Sequence, residues 1–115
     1  MKSILYCEVM DTPETRQQGL QHVIYLPWDH GALFIFSENN ASGFWMKNTP
    51  IPLELIYMDK NYSVISVHDL RPHNTQVVEC SQPYKYALEV NPGWCEAHGI
   101  YPSVNFHEVA HLEFI

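Results

Sequence analysis

Leu53-Glu54-Leu55-Ile56-Tyr57-Met58-Asp59-Lys60-Asn61-Tyr62-Ser63-Val64-Ile65-Ser66-Val67-His68 holds two runs rich in β-branched, aromatic and other apolar residues on either side of a short polar break. Such runs around a tight turn read as a β-hairpin, with strands Leu53 to Met58 and Tyr62 to His68 and with Asn61 suited to a left-handed turn position. Upstream, Gly43-Phe44-Trp45-Met46-Lys47-Asn48-Thr49-Pro50-Ile51-Pro52 continues the aromatic pattern but carries Lys47 and Asn48 within it, as Glu54 interrupts the strand that follows. Taking Lys47 or Glu54 out of water is costly unless the charge is paired or hydrogen-bonded. These positions are therefore strand-end surface groups or parts of a polar pocket.

Outward from the hairpin, Ile4 to Met10 reads as a first strand, and Asp11-Thr12-Pro13-Glu14 carries helix-start chemistry for a short polar helix from about Pro13 to Gln18. Ala32 to Phe36 is a continuous apolar run of strand length, Ser37 to Gly43 a loop, and Phe44 to Lys47 another strand. Asn48 to Pro52 must be extended or turned, because each proline disfavours helix at the residue before it. Asp69 to Pro83 reads as a long connection with one short strand near Thr75 to Val78. Lys85 to Val90 follows as a strand, then a two-turn helix with Asn91 as cap, Pro92 in its first turn and Gly99 as left-handed stop. The alternation from Val104 to Ile115 predicts a closing strand.

The chain of 115 residues fits a single domain spanning residues 1–115. Its composition, 46% hydrophobic and 17% charged, is that of a globular protein able to fold alone. The protein is acidic, and six Lys and Arg against a formal net charge of −7 are too few and too scattered to neutralise a phosphate backbone, so nucleic acid is not an expected partner. Cys7, Cys80 and Cys95 form an odd set without metal-type spacing, which argues against a disulfide framework and suits a reducing compartment, although a bridge between two of them is left open. Met1-Lys2-Ser3-Ile4-Leu5-Tyr6 has no long apolar region and no run approaches about 18 apolar residues. The expectation is a cytoplasmic protein with no membrane association.

Phe44-Trp45-Met46-Lys47-Asn48-Thr49, Ile51-Pro52-Leu53-Glu54 and Asp59, with Ala87-Leu88-Glu89-Val90-Asn91 and Gly93-Trp94, resemble domain of unknown function 192 (DUF 192). Thr12-Pro13-Glu14 with Arg16 and Gly19-Leu20 resembles its N-terminal motif, and Gly31-Ala32-Leu33-Phe34 with Phe36 the strand after it. Gln21 stands where the family usually has methionine, Val23 where it often has arginine, and Pro102-Ser103 where it tends to have Gly-Asp. The resemblance implies a mainly β fold, a compact single-domain β-sandwich or barrel with one or two short helices, in agreement with the strands read above. It implies no known reaction.

Lys47, Asn48 and Glu89 all precede proline-containing turns at predicted strand ends, where loops gather. Side by side, Lys47 and Glu89 would pair beside Trp45, Asn48 would offer donors and an acceptor, and Arg16 would add a fork-shaped cation. Arg16, Trp45, Lys47, Asn48 and Glu89 are thus the candidate ligand-binding residues. The plainer alternative is a structural Lys47–Glu89 ion pair with Asn48 capping a turn and Arg16 on the surface. Glu54, on the strand face shared with Ile56 and Met58, would serve with Glu89 as an acid and base pair if the two carboxyls lay within reach.

His107-Glu108-Val109-Ala110-His111 matches the zinc-protease pattern, but that chemistry needs both imidazoles on one face of a helix. In a strand the two rings would lie about 13 Å apart, too far for one metal. No metal and no cofactor are expected there, or from His68, Asp69, His73 and Cys80, whose spacings fit no standard site. Cys95 three residues before His98 is weak support for a nucleophile, and Trp28, Trp45 and Trp94 are either stacking surfaces or core. The leading expectation is a non-enzymatic small-ligand-binding or accessory domain for a small polar or anionic ligand. A hydrolase with paired carboxylates and a protein-interaction module with a protein partner are the alternatives.

Overall fold

Alternation along the strands sends their side chains into two apolar layers, one on each face of a sheet. The computed structural model describes residues 2–115, the side chains of 38 and 39 apart. Its elements in chain order are β1 (Ser3–Met10), α1 (Pro13–Gln18), β2 (His30–Asn40), β3 (Leu53–Met58), β4 (Val64–Leu70), β5 (Tyr84–Val90), α2 (Trp94–His98), α3 (Phe106–Val109) and β6 (Ala110–Phe114). The strands form one six-stranded sheet in the order β4-β3-β5-β2-β1-β6. β1 runs parallel to β2 and β6, and the other pairs are antiparallel. The protein is mainly β, as expected, with short helices.

One layer gathers Leu5, Leu33, Ile56, Met58 and Leu88 beneath Trp94 of α2 and Phe106 of α3. The other gathers Phe34, Leu55, Tyr57, Tyr84 and Ala87 beneath Leu20, Met46 and the partly buried Phe44 and Val78. Backbone bonds from Val64 N to Val104 O (2.8 Å) and from Phe106 N to Tyr62 O (2.9 Å) tie the chain ahead of β6 to the start of β4. The two edges of the sheet are therefore linked at one corner.

The predicted helix Pro13 to Gln18 forms with those bounds, because Thr12 and Thr15 cap each other's backbone N–H groups. The hairpin forms as well, with β3 at the predicted bounds and β4 starting two residues late. Its turn is organised by Asp59, whose Oδ1 accepts from the N–H groups of Asn61 (2.8 Å) and Ser63 (3.0 Å), and Tyr62 rather than Asn61 takes the left-handed conformation.

Five expectations are corrected. β2 runs on to Asn40 through the predicted loop, and the strand expected over Phe44 to Lys47 reduces to a single bridge between Phe44 and Val78. Val78 is also all that forms of the strand near Thr75 to Val78. At α2 the cap position belongs to Gly93, with φ of 84°, while the side-chain amide of Asn91 donates to Leu26 O (3.0 Å) and Pro27 O (2.9 Å); Gly99 does end the helix in the left-handed conformation. The closing strand is shorter than its alternation implied: Asn105 Oδ1 accepts from His107 N (3.0 Å) and starts the turn of α3, so only Ala110–Phe114 is strand.

Candidate functional site

β5 lies inside the sheet, and its register sets Glu89 in a row between Leu55 of β3 and Ala32 of β2. A carboxyl group so placed is surrounded by strand, and Glu89 retains 4% of its surface. No described residue gives it a hydrogen bond or an ion pair, yet every fully enclosed side-chain polar atom of the described residues has a partner. Its carboxyl therefore opens into the cavity it lines, a space of about 260 Å³. Loss of hydration by burial raises the Glu89 pKa from 4.5 to about 8, so the group is mostly a neutral acid at pH 7.

The cavity is walled by the end of α1, the stretch from Asn40 to Trp45 and the aromatic layer of the sheet. Phe44 makes edge contacts with Phe34 (4.8 Å between centroids) and Phe36 (6.5 Å), which fixes three of the rings. Tyr84 is held by Asn40 Nδ2 (2.9 Å) and donates to Ser42 O. Burial is the main cause that raises its phenol to about 12. Arg16 reaches in from α1, donating one guanidinium N–H to Ile35 O (3.0 Å) with its plane 5.1 Å from the Phe36 ring centre. Lys47 is exposed, its ammonium 5.4 Å from the Trp45 ring centre.

Four of the five expected ligand-binding residues, Arg16, Trp45, Lys47 and Glu89, thus line one cavity. Asn48 does not. It takes a left-handed conformation (φ 57°) in an exposed turn, where its backbone carbonyl accepts from His22 N (2.8 Å). The expected Lys47–Glu89 ion pair is absent among the described residues, because Lys47 projects to solvent over Trp45 while Glu89 stays below the cavity surface. Sequence reasoning missed Phe36, Ser42, Tyr84 and the glutamines at the end of α1. Only the packing of distant segments brings these together.

The family model described as Uncharacterized ACR, DUF192, matches residues 2–106. The chain belongs to the DUF192 family. Two solved structures share its fold. One is a protein from Sinorhizobium meliloti 1021 provisionally described as a transcription regulator, 32% identical, with a TM-score of 0.81 over 84% of this chain and 76% of that one. The other is a protein of unknown function from Novosphingobium aromaticivorans DSM 12444, 26% identical, with a TM-score of 0.80 over 84% of this chain and 70% of that one. No curated protein matches the chain.

In this DUF192 domain the paired-carboxylate mechanism has no geometry to work with. Glu54 sits on the opposite face of the sheet from Glu89, where its two oxygens accept from Gly93 N (2.9 Å) and Cys95 N (3.1 Å) and hold the start of α2. The His107-Glu108-x-x-His111 pattern is split between α3 and β6, and His111 instead contacts Glu113 (3.0 Å). No group of three metal-ligating side chains occurs among the described residues. The three cysteines are free, and burial raises the thiol pKa of Cys95, the wrong direction for a nucleophile at neutral pH. Of the tryptophans, Trp94 is core, whereas Trp28 and Trp45 are about half exposed.

Gly43 admits the close approach that closes the cavity wall. A Cβ there would stand 2.5 Å from Val77 Cγ1 and 2.6 Å from Val78 O. The second contact is with backbone and cannot be relieved by a rotamer change, so Gly43→Ala is expected to separate Phe44 from Val78 and to cost roughly 2 kcal/mol. Denaturant unfolding checks this, and an unchanged midpoint would mean that the wall repacks freely.

Proposed function

We propose that this DUF192 domain is a non-enzymatic small-ligand-binding or accessory protein whose site is the cavity above Glu89. The observation that carries the reading is a buried carboxyl group with no hydrogen-bond partner among the described residues, opening into a cavity that also presents Arg16 and Lys47. A buried polar group left without a partner costs on the order of 1–3 kcal/mol, so its placement in the middle of a sheet works against stability. Such a cost is typical of a binding site, where a ligand supplies the missing bond. The cavity is near the lower end of ligand-site volumes, which favours a small molecule with a carboxylate or hydroxyl groups.

The description of the Sinorhizobium protein as a transcription regulator gains no support from a chain with a formal net charge of −7 and only six Lys and Arg. A protein-interaction role has one supporting observation, the exposure of Ile24, Tyr25 and Trp28 along one loop. No helix among the described residues is long and apolar enough to cross a membrane.

Thermal unfolding across sugars, carboxylates and nucleotides tests the ligand reading, since a compound present at about 100 times its Kd stabilises the fold by about 2.7 kcal/mol. The Lys47 side chain is exposed and makes no hydrogen bond to the described residues, whereas its backbone carbonyl, which Lys47→Ala leaves in place, accepts from Thr49; the variant is expected to fold normally and to lose most of the shift. A panel that leaves the wild type unmoved sinks the proposal.

A further inference from the structure

We propose that the cavity takes a small oxyanion, a carboxylate or phosphate group, whose oxygen accepts a hydrogen bond from the protonated carboxyl of Glu89 while Arg16 and Lys47 balance its charge. This rests on the cavity being a ligand site and adds the class of ligand and the role of one residue. Among the described residues lining the cavity Glu89 is the one acid, and two cations stand against it. Two of the aromatic rings lining the cavity already carry the protein's own cations, Phe36 that of Arg16 and Trp45 that of Lys47, and those cations would repel a cationic ligand. Among the described residues Arg16 gives one N–H, to Ile35 O, of the five donors its guanidinium carries.

Glu89 sets the requirement for a proton. As a neutral acid it donates one O–H to the anion; as a carboxylate it would face the anion at close range, buried, with like charge. The titratable groups packed around it do not substitute for this switch. Tyr57 on β3 and Tyr84 on β5 give their hydroxyls to Val78 O and Ser42 O, and burial pushes both phenols upward. Arg16 from α1 and Lys47 from the turn before β3 are the cationic side chains that share the cavity with it. Binding therefore requires the protonated form. Where the free protein has lost that proton, binding takes one up from solvent, and affinity falls as pH rises through the Glu89 transition.

The test is thermal unfolding of the full chain with succinate, inorganic phosphate, tetramethylammonium or glucose, at about pH 6 and about pH 9, for wild type and Glu89→Gln. Succinate or phosphate is expected to raise the unfolding temperature of the wild type at the lower pH and to lose most of that shift at the higher one. Glutamine carries an N–H donor that does not titrate, so the variant is expected to keep the shift at both values, and it also controls for the titration of phosphate itself. An anion shift in the wild type that is equal at both values overturns the role of Glu89. A shift from tetramethylammonium or glucose alone leaves the cavity a ligand site but overturns its anionic class. If none of the four compounds acts on either protein, the ligand reading and this inference fall together.

Discussion

Replacing Glu89 with glutamine is expected to stabilise the protein, by an amount that grows with pH. Burial moves the carboxyl pKa from 4.5 to about 8, above its value in the unfolded chain. Between those values the folded state holds a proton that the unfolded state has released, so stability falls as pH rises through the window and levels off above it. For a single acid shifted this far, the fall between about pH 5 and about pH 9 is about 4 kcal/mol. Glutamine occupies nearly the same volume and carries no charge, so this part of the pH dependence vanishes in Glu89→Gln. Urea unfolding of both proteins at several pH values reads the difference between them, which cancels the titration of all other groups. Equal pH profiles would show that Glu89 is solvated or paired in solution.

Glu54 is expected to respond in the opposite sense. Its carboxylate accepts from two backbone N–H groups, Gly93 at 2.9 Å and Cys95 at 3.1 Å, and so performs the capping that Asn91 was expected to perform. Hydrogen bonds to a charged acceptor contribute about 1.5–3 kcal/mol each, and Cys95 is itself buried, so its N–H has no water to turn to when the carboxylate is removed. Glu54→Ala should cost about 3 kcal/mol, allowing for partial rehydration at Gly93. Glu54→Gln retains one acceptor and should cost about half as much. Chemical denaturation at neutral pH measures both. Two acids separated by thirty-five positions would thus differ in sign, one stabilising the helix it caps and the other a liability kept in the sheet.

Local chemistry made much of this fold legible. The hairpin around Asp59, the helix from Pro13 to Gln18 and the strand ending at Val90 depend on neighbours in sequence, through alternation, a hydroxyl cap and a turn. Phe44 to Lys47 were harder, because an aromatic pattern suited to a strand lies on a segment whose one bridge is that of Phe44 to Val78 among the described residues. The tail shows a different failure. Phe106, Ala110 and Leu112 are buried both in a pure strand and in a helical turn followed by a strand, and the cap at Asn105 was the signal that separates the two. At the site, the residue types drew attention to Arg16, Lys47 and Glu89, but which of them would be dry was not readable. That depends on β5 lying between β3 and β2, a fact of topology rather than of spacing.

β1 is among the first residues of the chain and β6 among the last, yet they are neighbours in the sheet. On a ribosome, β1 can pair with β2 early, but its other edge stays open until residues 110–114 emerge. Such long-range parallel pairing is slow to form, and an open edge is a template for pairing with another chain. The emergence of residues 110–114 therefore governs when the free side of β1 is closed, and a ribosome stalled before Ala110 would hold a nearly complete sheet with its inner strand exposed.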